Sequence, residues 1–561
     1  MHSLLPVLLT LATASASPQI AAADTKAKVD AVFHDYDRSD SPGCALGVYR
    51  DGQIIYERGY GMSNLELGVA NSPQSVFDIG STSKQFTAFA IHLLAREGKL
   101  SLDDDIRKWV PEVPDYGKKV TIRNLLHHTS GLRDYIEVME LQGIRYEDLA
   151  TDEDALAAIA RQKAPNFAPG EEHLYSNTGY FLLSVVVRRA SGQSLRDFAE
   201  ARIFGPLGMR HTQFNDRHKR IIPNRATGYS TAEAGGFGIE MGDWEQTGDG
   251  AVQTTVEDLQ LWDRNFYDPK VGDRQLLDAM QTVGILNSGK KLDYASALVL
   301  TKYKGLPTVS HGGAWVGYRA QLLRFPEQKF SVACLCNLSS ANPSRLAQQV
   351  AEAYLAGLMA PERPKVQPKK GSEAKIGVSP TEQNRLAGPY RNPVSGQVLV
   401  LAVRKNKLVG QSVGRSFAFV PIAAGRYRLD GFPEGTSEVE IGPATTGGRS
   451  ALFVTTTDED SDVEKETFQP VDLWAPTAAD LASFAGRYAS EEVDTTWKLL
   501  VQDGKLVVRH RGISEEALEP TVSGTFTLSG MDLTFARDAA GRVASFSLDR
   551  GRVRGIVFRK V

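Results

Sequence analysis

Cysteine is scarce in this sequence, with 3 in 561 residues: Cys44, Cys334 and Cys336. So few exclude a disulfide-built scaffold. Cys334 and Cys336 alternate in Phe330-Ser331-Val332-Ala333-Cys334-Leu335-Cys336, so both face one side of a strand. Buried free thiols are the expected state, and a disulfide from Cys44 to one of the pair is the alternative that an oxidising compartment allows. An excess of one charge is also missing: 64 Lys and Arg stand against 67 Asp and Glu, for a net charge of -3 and a pI near 6.4. The cations form no stripe, which removes nucleic acid and anionic lipid as expected partners and leaves a small substrate. Beyond the first residues no apolar run reaches the roughly 18 to 20 residues of a membrane span. His127-His128 has no Cys or carboxylate partner at metal spacing, and the acidic groups Asp152-Glu153-Asp154 and Asp458 to Asp462 lack a calcium-loop pattern. No metal and no cofactor are expected.

With 42% hydrophobic and 23% charged residues, the chain is globular and long enough for two to four domains of roughly 150 residues. Leu4-Leu5-Pro6-Val7-Leu8-Leu9-Thr10-Leu11, followed by small-residue sites at Ala14-Ser15-Ala16 and Ala21-Ala22-Ala23, reads as a signal peptide over residues 1–23. A periplasmic or secreted protein is implied. Cys44 to Tyr49 and Gln53 to Glu57 flank Arg50-Asp51-Gly52, a hairpin signal. Residues 81–265 read mostly helical, and strands return at Ala297 to Lys302, Ala320 to Phe325 and Phe330 to Asn337. Strands at both ends with helices between them predict an α/β sandwich over residues 24–360. The Pro/Lys-rich stretch 361–377 reads as a linker.

A repeat follows the linker. Leu386-Ala387-Gly388-Pro389-Tyr390 answers Phe484-Ala485-Gly486-Arg487-Tyr488, and Asn406-Lys407-Leu408-Val409 answers Gly504-Lys505-Leu506-Val507 at the same offset. Two copies of one β-domain are predicted, at 378–472 and 476–561. Each is short and rich in alternating strands, so a small barrel is the economical way to remove sheet edges.

Three short patterns carry chemistry. Ser81-Thr82-Ser83-Lys84 opens a helix whose apolar residues recur at Phe86, Phe89, Ala90, Leu93 and Leu94, with Gly98 placed to cap its end. Residues three apart share a helix face, so the Lys84 ammonium reaches the Ser81 hydroxyl. Tyr175-Ser176-Asn177 supplies a phenol and an amide, and His311-Gly312-Gly313 sets glycines where a substrate must approach a strand. Chance twins exist at Ser288/Lys291, Ser372/Lys375, Tyr390/Asn392 and His510/Gly512, but none has the flanks or the order of the three.

In that order and context the patterns resemble the penicillin-recognising serine hydrolase superfamily: class C β-lactamases, DD-peptidases, related esterases and, most closely, bacterial D-aminopeptidases. Leu125 to Leu132, Pro206-Leu207-Gly208-Met209 and Gly248-Asp249-Gly250-Ala251 extend the resemblance over about residues 30–360. It implies a β-lactamase/transpeptidase-like antiparallel sheet flanked by helices, followed by two antiparallel β-barrel domains, the second of which helps shape the active site. It implies Ser81 as acylated nucleophile, Lys84 and Tyr175 as a shared base, and Asn177, His311 and Gly313 as substrate-binding residues. The backbone N–H groups of Ser81 and Ala314 match the family's oxyanion hole. His311 stands where penicillin-binding enzymes usually have the Lys of K-T-G, and a neutral His holds a carboxylate less well. The implied activity is therefore a D-aminopeptidase or amidase on D-amino-acid peptides. An esterase, a weak β-lactamase or DD-peptidase, and a non-catalytic peptide- or peptidoglycan-binding protein are the alternatives. The acidic stretch Ile513 to Glu519 could project Glu515 or Glu516 toward the cleft as an α-ammonium contact, but a solvated loop is the favoured reading, since exposed carboxylates are the usual case. Oligomeric state is not legible.

Overall fold

The computed structural model describes residues 18–561 except 233, 361–378, 394–397, 413–414, 431–435, 445–448, 458–462, 473 and 512. The predicted linker, the acidic cluster at 458–462 and most of the predicted signal peptide lie outside the described residues. The first helix, α1 (Pro18–Val32), runs through the expected cleavage point at residue 23.

Asp51 and Gly52 both take positive φ, 51° and 71°, which lets β1 (Cys44–Arg50) turn directly into β2 (Gln53–Tyr60). The remaining strands of this sheet come some 240 residues later in the sequence: β3 (Val299–Tyr303), β4 (Leu306–Trp315), β5 (Tyr318–Phe325) and β6 (Phe330–Cys336). They assemble in the order β3-β4-β5-β6-β1-β2, with β6 antiparallel to β1. Both central strands are apolar on both faces because helices cover both. On one face Cys44, Leu46 and Val48 meet α1 and the C-terminal helix of the domain (Pro343–Leu355). On the other, Ala45 and Tyr49 join the large core that contains Phe86, Phe181 and Trp262. The period-2 pattern thus sorts each strand between two cores.

The register of β1 on β6 sets Cys44 opposite Cys336, with Cα atoms 3.9 Å apart, and the two form a disulfide. This corrects the expectation of three free thiols. Only Cys334 stays free; it is fully buried, its Sγ lies 3.8 Å from that of Cys336, and burial pushes its thiol far above the ordinary range. Strand pairing across 292 residues decides this, and local sequence does not contain it.

The two repeats are two closed eight-stranded antiparallel barrels, running from Gly388–Arg391 to Val463–Pro470 and from Gly486–Ser490 to Val553–Lys560. Corresponding residues close them: Tyr390 pairs with Pro470, and Tyr488 with Lys560. Each Tyr hydroxyl also donates to the last residue of the short helix before its barrel, Tyr390 to Leu386 O at 2.9 Å and Tyr488 to Phe484 O at 2.8 Å. The barrels differ in how they sit. The first has a core of its own, whereas Trp497, Phe546 and Phe558 of the second belong to the same apolar cluster as the helices of the sandwich. The Arg133–Glu492 ion pair, 2.5 Å long with both side chains under a tenth exposed, ties the second barrel to the sandwich. Removing one member of such a pair strands a buried charge, at a cost of about 3–5 kcal/mol.

Candidate active site

Gly80–Ser83 form a 3-10 turn, and the α-helix proper, α2, spans Lys84–Arg96. Ser81 therefore sits just ahead of the helix, within its reach. Gly80 has φ +48°, and a Cβ there would stand 2.6 Å from Ala314 N. A Cβ on Gly313 would stand 1.9 Å from Ile79 O. These two glycines let the edge of β4 lie directly against the turn that carries Ser81, bringing the Ala314 amide to the nucleophile.

Lys84 is fully buried and has three acceptors around Nζ: Ser81 Oγ at 3.0 Å, Asn177 Oδ1 at 2.9 Å and the main-chain oxygen of Asp249 at 2.5 Å. Three acceptors match the three N–H groups of an ammonium. Asn177 begins the helix Asn177–Ser191, and Asp134 holds it from below, accepting from Asn177 N at 2.7 Å and Nδ2 at 3.0 Å. The other Asp134 oxygen accepts from Ile136 N and Glu137 N at the start of Tyr135–Leu141. One carboxylate thus serves two helix N-termini and fixes which end of the Asn177 amide faces Lys84.

The second barrel enters here. Arg552 donates from Nη1 to Asp134 Oδ2 at 3.2 Å and from Nε to Glu137 Oε1 at 3.1 Å, and its backbone N–H reaches Glu137 Oε2 at 2.9 Å. Asp134 and Glu137 hold the Arg552 guanidinium firmly protonated. Its Cζ lies 5.7 Å from the centre of the Tyr175 ring, and Lys84 Nζ lies 5.0 Å from the same point. The Tyr175 hydroxyl is buried with no hydrogen-bond partner among the described residues. Its ring packs on His128 at 4.1 Å.

A chain of bonds fixes the histidines. Ser176 N donates to His128 Nδ1 at 3.1 Å, so His128 carries its proton on Nε2, which faces Tyr294 OH at 3.1 Å. Tyr294 OH in turn faces His311 Nε2 at 2.9 Å, and His311 Nδ1 faces Gly312 O at 2.6 Å. Every link is satisfied with both rings neutral. Burial and the Lys84 charge push His311 down to about 4, which keeps it neutral. His311 lines the cleft, but both of its nitrogens are engaged with the protein.

A cavity of about 1200 Å³ is lined by Ser81, Tyr175, Asn177, His311, Gly313 and Ala314, with Phe417 from the first barrel and Gly551 and Arg552 from the second. Two buried carboxyl groups in its wall are pushed up by burial, Asp249 to about 6 and Asp78 to about 7. Glu515 and Glu516 are exposed on the second barrel and do not line the cavity, in line with the solvated reading and not with an α-ammonium contact; Glu515 pairs with Arg509, and Glu516 Oε2 accepts from Ser529 Oγ. Asp134, Tyr294 and Arg552 are site residues that sequence reasoning did not single out. Asp249 and His128 fell inside quoted motifs without a role, and Arg552 has no local signal at all.

The sequence model of the Beta-lactamase family matches residues 29–356, more than half of the chain. Penicillin-binding protein 4* of Bacillus subtilis is 32% identical over 345 residues, 58% of this chain and 75% of that protein. A D-aminopeptidase of Cereibacter sphaeroides is 27% identical over 474 residues, 84% of each chain. Among solved structures, the octameric penicillin-binding protein homologue of Pyrococcus abyssi superposes with a TM-score of 0.55 at 24% identity, covering 80% of this chain and 99% of that one. With its nucleophile motif, sheet and helices all within the matched region, the chain belongs to the Beta-lactamase family and is a serine hydrolase.

Proposed function

We propose that the protein hydrolyses amides of D-amino acids through a Ser81 acyl-enzyme, as a D-aminopeptidase or amidase. The observation that carries the acyl-transfer part is the 3.0 Å contact of Lys84 Nζ with Ser81 Oγ, held in place by Asn177 and Asp134. Ser81 Oγ attacks the substrate carbonyl as its proton passes to the Lys84/Tyr175 pair, which enters the step with one of its two proton sites empty; that proton goes on to the departing amine, and water then releases the acid. The developing oxyanion is received by the N–H groups of Ser81 and Ala314. Gly313 lines the cleft where the end of β4 lies against the Ser81 turn, and Asn177 orients Lys84 at the cleft floor.

Two observations support the amide and D-amino-acid part of the reading. The D-aminopeptidase of Cereibacter sphaeroides aligns past the sandwich and into the barrel region, over 84% of each chain. His311, neutral and bonded through both nitrogens, is a poor clamp for the free carboxylate that a β-lactam or DD-peptide substrate presents. The test of the acyl-enzyme is intact-mass labelling with a fluorophosphonate. One adduct on Ser81 that Ser81→Ala abolishes is expected; an unlabelled wild type places the chain among non-catalytic binding proteins.

A further inference from the structure

An aminopeptidase has to recognise a free α-ammonium next to the bond it cuts. The carboxylates near the cleft are Asp78, Asp134, Glu137 and Asp249. Asp78 accepts from Gly80 N and Gln253 Nε2, one bond on each oxygen. Both oxygens of Asp134 serve helix N-termini and Arg552, and both of Glu137 serve Arg552. Asp249 accepts from Tyr135 OH on Oδ2 at 3.0 Å and from its own backbone N–H, and among the described residues no Lys, Arg or His forms an ion pair with it. The Lys84 charge acts on Asp249 without a direct bond to its carboxylate, since the Lys84 contacts are Ser81 Oγ, Asn177 Oδ1 and the main-chain oxygen of Asp249.

A second group points the same way. Gln246, in the same loop and 5% exposed, donates from Nε2 to Thr151 O, which fixes its amide and leaves Oε1 buried with no donor. Gln246 and Asp249 both line the cavity that holds Ser81. A buried carboxylate with one hydroxyl and one amide donor keeps acceptor capacity, a buried amide oxygen with no donor keeps more, and an ammonium brings three donors.

We propose that Asp249, with Gln246 beside it, forms the subsite that binds the α-ammonium of the substrate, so that this loop of the sandwich, and not the acidic stretch of the second barrel, selects for a free N-terminus. The proposal rests on the aminopeptidase reading above and names its specificity site.

The experiment compares wild type with Asp249→Asn and Gln246→Leu in the full chain, each checked for an unchanged melting profile. The substrates are D-alanine p-nitroanilide and p-nitrophenyl acetate, which has no amine. In Asp249→Asn, kcat/KM on the anilide is expected to fall at least tenfold further than on the ester, mainly through KM. Gln246→Leu shifts the same ratio by a smaller factor. An equal loss on both substrates overturns the proposal and makes Asp249 an electrostatic partner of Lys84; no loss on either also overturns it. A second arm needs no turnover of amides. D-alanine amide is expected to inhibit ester hydrolysis by wild type at least tenfold more strongly than its N-acetyl derivative, and Asp249→Asn is expected to lose that preference. Equal inhibition by the two amides overturns the subsite. Failure to cut the anilide while the inhibition preference persists overturns the aminopeptidase reading and leaves the ammonium site standing.

Discussion

Arg552, on the second barrel, lies 3.2 Å from the Asp134 carboxylate that positions Asn177, so a residue 418 positions downstream of Asp134 completes the surroundings of Lys84. Asp134 is wholly buried and Arg552 about one-third exposed. The pair is a short path from barrel to nucleophile: guanidinium, carboxylate, amide, ammonium, hydroxyl.

From this relationship, Arg552→Gln is expected to lower kcat on esters and anilides by the same factor, about tenfold to a hundredfold, because it loosens Asn177 and Lys84 and not a substrate contact. Arg552→Lys restores part of the loss by returning the charge without the fork. Steady-state kinetics on both substrates check it. A rise in KM alone contradicts a positioning role.

Asp78 gives a pH signature. Burial raises it from 3.8 to about 7, so the folded chain binds a proton that the unfolded chain releases between those values. The group costs nothing below about pH 4, and its penalty grows until pH passes 7, reaching at most about 4 kcal/mol. Asp78→Asn removes that penalty, and Gln253 accommodates it by turning its unbonded Oε1 toward the new amide. The melting temperature of Asp78→Asn is expected to gain several degrees on wild type between pH 4.5 and pH 8.5 in thermal scans, at roughly 2–4 °C per kcal/mol. A constant difference across that range contradicts the assignment.

The cysteines yield a count. Unfolded without reductant, the chain is expected to react with Ellman's reagent at one thiol, Cys334, and after reduction at three. Cys336→Ser is expected to lower stability by about 2–5 kcal/mol. Three thiols before reduction contradict the disulfide.

The strands, the helix behind Ser81 and the two barrels were legible because each writes its period into adjacent residues. Ser81, Lys84, Tyr175, Asn177, His311 and Gly313 were legible as short patterns with flanks; the structure brings five of them to the lining of one cavity and buries Lys84 behind it, bonded to Ser81 and Asn177. What was not legible depends on register and docking. Cys44 meets Cys336 only once β1 pairs with β6, and Arg552 meets Asp134 only once the barrel docks. The same limit applies to Glu515 and Glu516: a local acidic run resembles an ammonium site, but both side chains are exposed while Leu518 of the same strand is buried. The engagement of His311 through Tyr294 and His128 joins three distant segments, which no single window displays.

The most direct measurement of the account is p-nitroaniline release from D-alanine and L-alanine p-nitroanilides by wild type and Ser81→Ala. Release from the D-anilide at least tenfold faster than from the L-anilide, with Ser81→Ala at background, is the predicted result. Activity that survives Ser81→Ala, or hydrolysis of p-nitrophenyl acetate with neither anilide cut, contradicts it.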